Sequence, residues 1–98
     1  MSLDRKAREA EFMAALKDQF RARCAAEATR LDAFLRGEAP REDLLAALHR
    51  IAGSGGTFGY PDLSEQAFAL DEAVRAQEPD LAALKRLRDA LKEISSGG

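Results

Sequence analysis

The sequence predicts an all-α protein, folded as an antiparallel up-down-up-down four-helix bundle. The 98-residue chain is long enough for one hydrophobic core. Apolar residues recur every three or four positions in four segments, and short stretches with glycine or proline separate those segments. Four short-linked amphipathic helices bury all of their apolar faces in such a bundle. We expect a single domain over residues 1–98, with helices at roughly 4–36, 41–57, 62–77 and 80–95.

The first helix is predicted by its composition and by one apolar face. Residues that lose little conformational freedom in a helix, such as Ala, Glu, Lys, Arg and Leu, dominate this segment. Its apolar face comprises Phe12, Leu16, Phe20, Cys24, Ala28, Leu31 and Leu35. Cys24 is the only cysteine, so it forms no internal disulfide. We expect it to be a small buried residue in a reducing, cytoplasmic setting.

The other three helices are shorter, and each has its own boundary signal. Gly37 is expected to end the first helix in a left-handed cap, and Pro40 suits the start of the second. Asp62 or Ser64 is expected to cap the third helix, and Asp80 to begin the fourth. The apolar faces are Leu44, Leu48 and Ile51 in the second helix, Leu63, Ala67, Leu70 and Val74 in the third, and Leu81, Leu84, Leu87, Leu91 and Ile94 in the fourth.

The composition argues against several classes of function. Fifteen Lys and Arg nearly balance seventeen Asp and Glu, which argues against nucleic acid as a partner. No apolar run approaches the roughly 20 residues that cross a bilayer, so no membrane partner is expected. One histidine and one cysteine cannot assemble a zinc site, and no phosphate-binding loop motif is present. We therefore expect neither a metal nor a cofactor.

Residues 48–59 depart from the helical pattern around them, because they hold the only histidine and four of the seven glycines. On a wheel of 100° per residue with Leu44 at zero, His49 lies at about 140°, Gly53 near 180° and Gly56 near 120°. Each glycine in a helix costs roughly 1 kcal/mol relative to alanine. We infer that the glycines leave the imidazole accessible. Close helix packing is the alternative explanation for the glycines.

An exposed histidine without a second catalytic group suits a narrow range of chemistry. Ser54 points in another direction on the wheel, so no nucleophile and base pair is visible. The histidine can still act alone, first as a nucleophile on a phosphoryl group and then as its leaving group. The residues from His49 onward resemble the phospho-accepting segment of histidine-containing phosphotransfer (HPt) domains. The family pattern is His-x-x-Lys-Gly, five small or apolar positions and a glycine, and His49, Gly53 and Gly59 fit it without a gap.

The resemblance implies a phosphoryl carrier rather than an enzyme. His49 would exchange a phosphoryl group with receiver domains of response regulators or accept it from a histidine kinase, while magnesium and acid chemistry belong to the partner. Ala46, Ala52, Gly53 and Gly56 would form the floor of the docking surface. Two alternatives stay open, which are a non-phosphorylated HPt-like interaction module and a purely structural helical bundle.

Ala52 is the one departure from the family pattern, because it stands where the family usually has lysine. The resemblance implies that this lysine lies beside the phosphoryl group, so in this chain its charge is absent or comes from elsewhere. Arg50 is adjacent in sequence but points about 100° away from His49. Arg75 is the other candidate, because an antiparallel hairpin is expected to place residues 70–75 roughly level with the histidine and its preceding turn. Ala52 also favours the non-phosphorylated alternative.

Overall fold

Four α-helices form the fold in the computed structural model, which describes residues 2–77 and 79–97, with side chains from residue 4 onward. The helices are α1 (Ser2–Leu35), α2 (Arg41–Gly55), α3 (Pro61–Ala76) and α4 (Leu81–Ser95). The described residues contain no strand, so the all-α prediction is confirmed. Within the same ranges, no helix has the length and apolar character needed to span a membrane.

The helices form a ring in which each contacts the preceding and following helix, and α1 contacts α4. The most extensive contacts join α2 to α3 and α1 to α4. Residue pairs show that α1 and α2, and likewise α2 and α3, run in opposite directions, and that α4 pairs with α1. These pairs are Phe20 with Phe58 and Glu27 with Arg50, Ala52 with Ser64 and Arg41 with Val74, and Asp32 with Arg88. The predicted antiparallel four-helix bundle is confirmed.

All four helices contribute to one core. Its buried apolar residues are Phe20, Cys24, Ala28 and Leu31 from α1, Leu44, Ala47, Leu48 and Ile51 from α2, Leu63, Ala67, Leu70 and Val74 from α3, and Leu84, Leu87, Leu91 and Ile94 from α4. Burial raises the pKa of the Cys24 thiol to about 11, and the nearby Glu27 carboxylate adds to the shift. The thiol is therefore an inert core group at neutral pH.

Two of the expected core residues are exposed. Phe12 is 64% exposed and Leu81 is 52% exposed, so their assignment to the core is wrong. The 34 residues of α1 span about 51 Å, whereas α2, with 15 residues, spans only about 23 Å. The amino-terminal part of α1 thus extends beyond the helices that could cover Phe12. Leu81 is the first residue of α4 and lies at the edge of the bundle.

Glycines in the left-handed region end the first two helices. Gly37 has a φ of 75°, as predicted, and its amide donates to the Phe34 carbonyl at 2.9 Å. Gly59 has a φ of 90° and follows a last turn in which the Phe58 amide still donates to the Ser54 carbonyl. Helical hydrogen bonding therefore continues beyond Gly55, where α2 formally ends. Both chain reversals need a residue that tolerates positive φ.

The start of α3 differs from the sequence expectation. Tyr60 is the N-cap residue and Pro61 occupies the first turn, without a side-chain cap. The predicted cap at Asp62 or Ser64 is therefore wrong, because proline already provides the backbone angle and lacks the amide that needs a partner. At α4 the expectation is confirmed, since the Asp80 carboxylate accepts hydrogen bonds from the first turn.

Candidate functional site

His49 lies on the outer side of α2. The neighbouring Leu48 and Ile51 side chains are buried in the bundle, whereas His49 is exposed. This orientation follows from helical geometry, because Leu44 and Leu48 fix the buried direction and His49 lies about 140° from Leu44. The buried side chains of α2 therefore fix the rotation of the helix and place the imidazole at the surface. The imidazole stands on a regular helix and not on a loop.

The glycines near the imidazole occupy two different environments. A Cβ atom added to Gly53 or Gly56 would contact nothing within 4 Å, and Gly56 has helical angles of φ −64° and ψ −38°. A Cβ atom added to Gly55 would lie 2.9 Å from the Ser64 amide nitrogen and 3.1 Å from the Tyr60 carbonyl oxygen. Gly55 is therefore required for close packing, whereas nothing in the fold requires glycine at the other two positions.

Ala46 and Ala52 flank His49 on its two sides, each about 60° from it around α2. Ala46 is exposed and lines a cavity of about 440 Å³ between α1 and α2. Ala52 is half-buried against the core on the side that faces α3, where its carbonyl accepts a hydrogen bond from the Ser64 hydroxyl. A small side chain therefore stands next to the imidazole on each side.

Arg50 joins α2 to α1. Its Nη2 atom lies 3.1 Å from Glu27 Oε1, and its Nε atom lies 3.2 Å from the same oxygen. Glu27 is only 6% exposed and also pairs with Arg30. A buried carboxylate needs such partners, because leaving water without them is costly. The Arg50 guanidinium is therefore directed toward α1, away from the side of α2 on which the imidazole lies.

Arg75 is not level with His49. The Ser64 hydroxyl contacts the Ala52 carbonyl, and the Arg41 guanidinium donates to the Val74 carbonyl. This register places residues 66 and 67 of α3 opposite the histidine and Arg75 about eight or nine residues further along, or about 12–14 Å. The expected level of Arg75 is therefore wrong. Its Nε atom instead lies 3.0 Å from Asp71 Oδ1 on the same helix.

A groove of about 820 Å³ runs between α1 and α2, and Gly53, one helical turn after His49, lines it. Ala22, Ala26 and Gly53 contribute small groups to its surface, and Arg23 and Phe58 also line it. Gly53 and His49 lie about 40° apart on α2, so the groove borders the face of the helix that carries the imidazole. An approaching protein would therefore meet no side chain at position 53 on this side of the histidine.

Sequence reasoning misses three residues of this region. Glu27 falls on the apolar face of α1 between Cys24 and Ala28, and a charge at such a position signals a partner on another helix. Ser64, expected as a helix cap, bonds to α2. Phe68 follows the buried Ala67 and is 57% exposed, which a helical wheel of α3 would have shown.

The structure is a small helical bundle with a single histidine, which is exposed on the second helix near glycines that leave space around it. These features define a class of protein in which a helix presents an imidazole to a partner. The family model of the Hpt domain matches residues 15–97, and the chain belongs to this family. Membership implies histidine phosphotransfer in a phosphorelay at the level of the family, with receiver domains or kinases as the general partners. Comparison with curated proteins and with solved structures gave no match.

Proposed function

We propose that this chain is a phosphorelay carrier in which His49 accepts a phosphoryl group and passes it to or from receiver-domain aspartates. The observation that carries the proposal is the pairing of an exposed histidine with two glycines, Gly53 and Gly56, that the fold does not require. Those glycines weaken the helix by roughly 1 kcal/mol each relative to alanine. Access to the imidazole accounts for that cost.

The transfer needs only the imidazole from this chain. One ring nitrogen of His49 directs its lone pair at the phosphorus of the partner's aspartyl phosphate. The nitrogen–phosphorus bond forms as the phosphorus–oxygen bond to the carboxylate breaks, and the carboxylate leaves with the bonding electron pair. The proton on the other ring nitrogen exchanges with solvent. The reverse reaction returns the phosphoryl group to a carboxylate, so the chain acts as a carrier.

The helical scaffold supports this role by positioning. A regular helix fixes the direction of the imidazole, and an in-line approach depends on such orientation. Ala46 and Ala52 on either side, with Gly53 and Gly56 further along, leave space for a receiver surface to come close. We propose that these four positions form the floor of the docking surface.

A second candidate function is a non-phosphorylated interaction module that binds a receiver or a kinase. Ala52 in place of the usual lysine favours it. Both arginines considered as substitutes have carboxylate partners, since Arg50 pairs with Glu27 and Arg75 with Asp71. Neither arginine is therefore directed at the imidazole as a substitute for the lysine, and we propose that a carrier with this surface takes its neutralising charge from the partner.

Phosphotransfer profiling tests the proposal. Receiver domains are phosphorylated with a small-molecule donor and incubated with the wild-type chain, with His49→Gln or with Gly53→Glu. We expect acid-labile label on the wild type, none on His49→Gln, and strongly reduced transfer to a folded Gly53→Glu protein. Ala7→Glu, an exposed substitution in α1, is the matched control and should transfer normally. Receiver binding without any label on the wild type would favour the interaction module.

A further inference from the structure

Phe68 is an apolar side chain exposed in the middle of a helix. It is 57% exposed, although the neighbouring Leu63, Ala67 and Leu70 are buried in the core. Glu65 and Glu72, one helical turn to either side along α3, are also exposed, so a charged residue stands on each side of Phe68 along the helix. A polar residue would serve α3 equally well at this position. The fold of the chain alone therefore does not account for phenylalanine.

The hairpin register places Phe68 at the level of His49. The contacts between Ser64 and Ala52 and between Arg41 and Val74 set residues 66 and 67 opposite His49. Phe68 follows directly, so its backbone lies within about 3 Å of that level along the helix axis.

Helical geometry also places the two side chains on the same side of the bundle. Ser64 lies on the side of α3 that faces α2, and Phe68 lies one turn further on that side, about 40° closer to solvent. On α2, Ala52 faces α3, and His49 lies about 60° from it toward solvent. The imidazole and the phenyl ring thus flank the outer edge of the groove between α2 and α3. Packed helices have axes about 8–10 Å apart, so the imidazole and the phenyl ring are separated by a distance of about this size.

We propose that Phe68 is the principal apolar contact for the receiver domain that docks at His49, an inference that rests on the proposed phosphotransfer. A protein that brings a carboxylate to His49 must cover the surface around it. A standard interface of about 800 Å² on each partner has a radius of roughly 16 Å, so it includes a side chain one helix spacing away. Exposed aromatic residues near the centre of such an interface contribute much of its affinity.

The surroundings of Phe68 specify the chemistry of the partner surface. An apolar patch on the receiver covers the phenyl ring. Glu65 and Glu72 stand on either side of the ring, so basic side chains complement them at the rim of that patch. Such rim contacts make the association faster at low salt, while burial of the ring governs how long the complex lasts.

Two variants test the inference. Phe68→Ala removes the proposed contact, and the matched control Phe12→Ala removes a similarly exposed ring from the amino-terminal part of α1, beyond the other helices. The probe is a receiver domain that binds the wild-type chain in the profiling experiment. We expect Phe68→Ala to weaken receiver binding about tenfold or more, and to raise the KM for that receiver similarly. Phe12→Ala should bind as the wild type does. Labelling of His49 by phosphoramidate, a small donor that needs no docking surface, should be unchanged in both variants.

Three measurements keep the two proposals separable. Unchanged receiver binding by Phe68→Ala overturns the docking inference and leaves phosphotransfer at His49 standing. Weakened binding without any label on the wild-type histidine supports the docking contact and contradicts the proposed phosphotransfer. Loss of phosphoramidate labelling in Phe68→Ala would also overturn the inference, because it would place the ring's effect at the imidazole itself.

Discussion

Gly53 and Gly55 lie two residues apart in α2, and their surroundings differ. Space is open where a side chain at Gly53 would lie, whereas a Cβ atom at Gly55 would be 2.9 Å from the backbone nitrogen of Ser64. Alanine at position 53 would remove the entropic cost of glycine without a clash, whereas alanine at position 55 would force α2 and α3 apart. Substitutions at the two glycines therefore test two different roles. Gly53 leaves the surface beside His49 open, and Gly55 allows α2 and α3 to pack closely.

Gly53→Ala should raise the free energy of unfolding by about 0.5–1 kcal/mol, and Gly55→Ala should lower it by about 1–3 kcal/mol. Urea denaturation followed by circular dichroism measures both changes. A destabilised Gly53→Ala protein would show that the fold does require this glycine, and Gly53 would then no longer indicate an opened surface around His49.

At the scale of helix pairs, Glu27 forms the principal charged contact between α1 and α2. Its carboxylate is buried and has two guanidinium partners, one of which is Arg50. Arg50→Ala should therefore lower the free energy of unfolding by about 1–2 kcal/mol, because Arg30 alone remains to compensate the buried charge. Denaturant titration measures the loss. Arg21→Ala, which removes an exposed pair with Asp18, is the control and should cost less than about 0.5 kcal/mol.

The same variant tests where the Arg50 guanidinium acts. Because it is directed toward α1, phosphoramidate should label His49 in Arg50→Ala within about twofold of the wild-type rate, a change worth less than about 0.5 kcal/mol. A much larger fall in labelling, with the protein still folded, would return Arg50 to the phosphoryl environment that its sequence position suggested.

Asp32 links α1 to α4 through Arg88 and Lys92, at 3.0 and 3.1 Å. Burial alone would raise the pKa of Asp32, but the hydrogen bonds and charges of Arg88 and Lys92 outweigh it and hold the pKa below its ordinary value. A carboxyl group whose pKa is lowered on folding stabilises the folded state above its unfolded pKa of about 3.9. That stabilisation is lost as the pH falls through the lower, folded value.

Asp32→Asn should therefore have a lower urea midpoint than the wild type at neutral pH, and the difference should shrink as the pH falls below about 4. Denaturation curves of both proteins between neutral and acidic pH measure this. A difference that stays constant across that range would mean that the charge of Asp32 does not stabilise the contact between α1 and α4.

At the scale of the whole molecule, the sequence predicts the bundle, through four amphipathic segments with short links, and most features set within one helix. The helix class, the left-handed cap at Gly37 and the outward direction of His49 depend on local spacing and appear in the structure. Features that depend on how two helices pack against each other are harder to predict from sequence. The partner of Glu27 depends on how α1 and α2 rotate against each other.

The axial register of the hairpin is another such feature. The level of Arg75 depends on how the turn at Gly59 offsets α3 against α2, and periodicity within either helix carries no information on that offset. The exposure of Phe12 depends on how far α1 extends beyond the ends of the neighbouring helices. A periodic apolar face cannot reveal that length difference, because the pattern continues where the covering helices have ended.

The bundle, the exposed histidine and the family assignment converge on one claim, that the phosphoryl group is carried by His49. Mapping the label by mass spectrometry after tryptic digestion at neutral pH tests it most directly. Cleavage at Arg41 and Arg50 releases residues 42–50, which contain His49 but no serine, threonine or tyrosine. We predict one acid-labile phosphoryl group on this peptide. A phosphoryl group found instead on the following peptide, which carries Ser54 and Thr57, would contradict the claim.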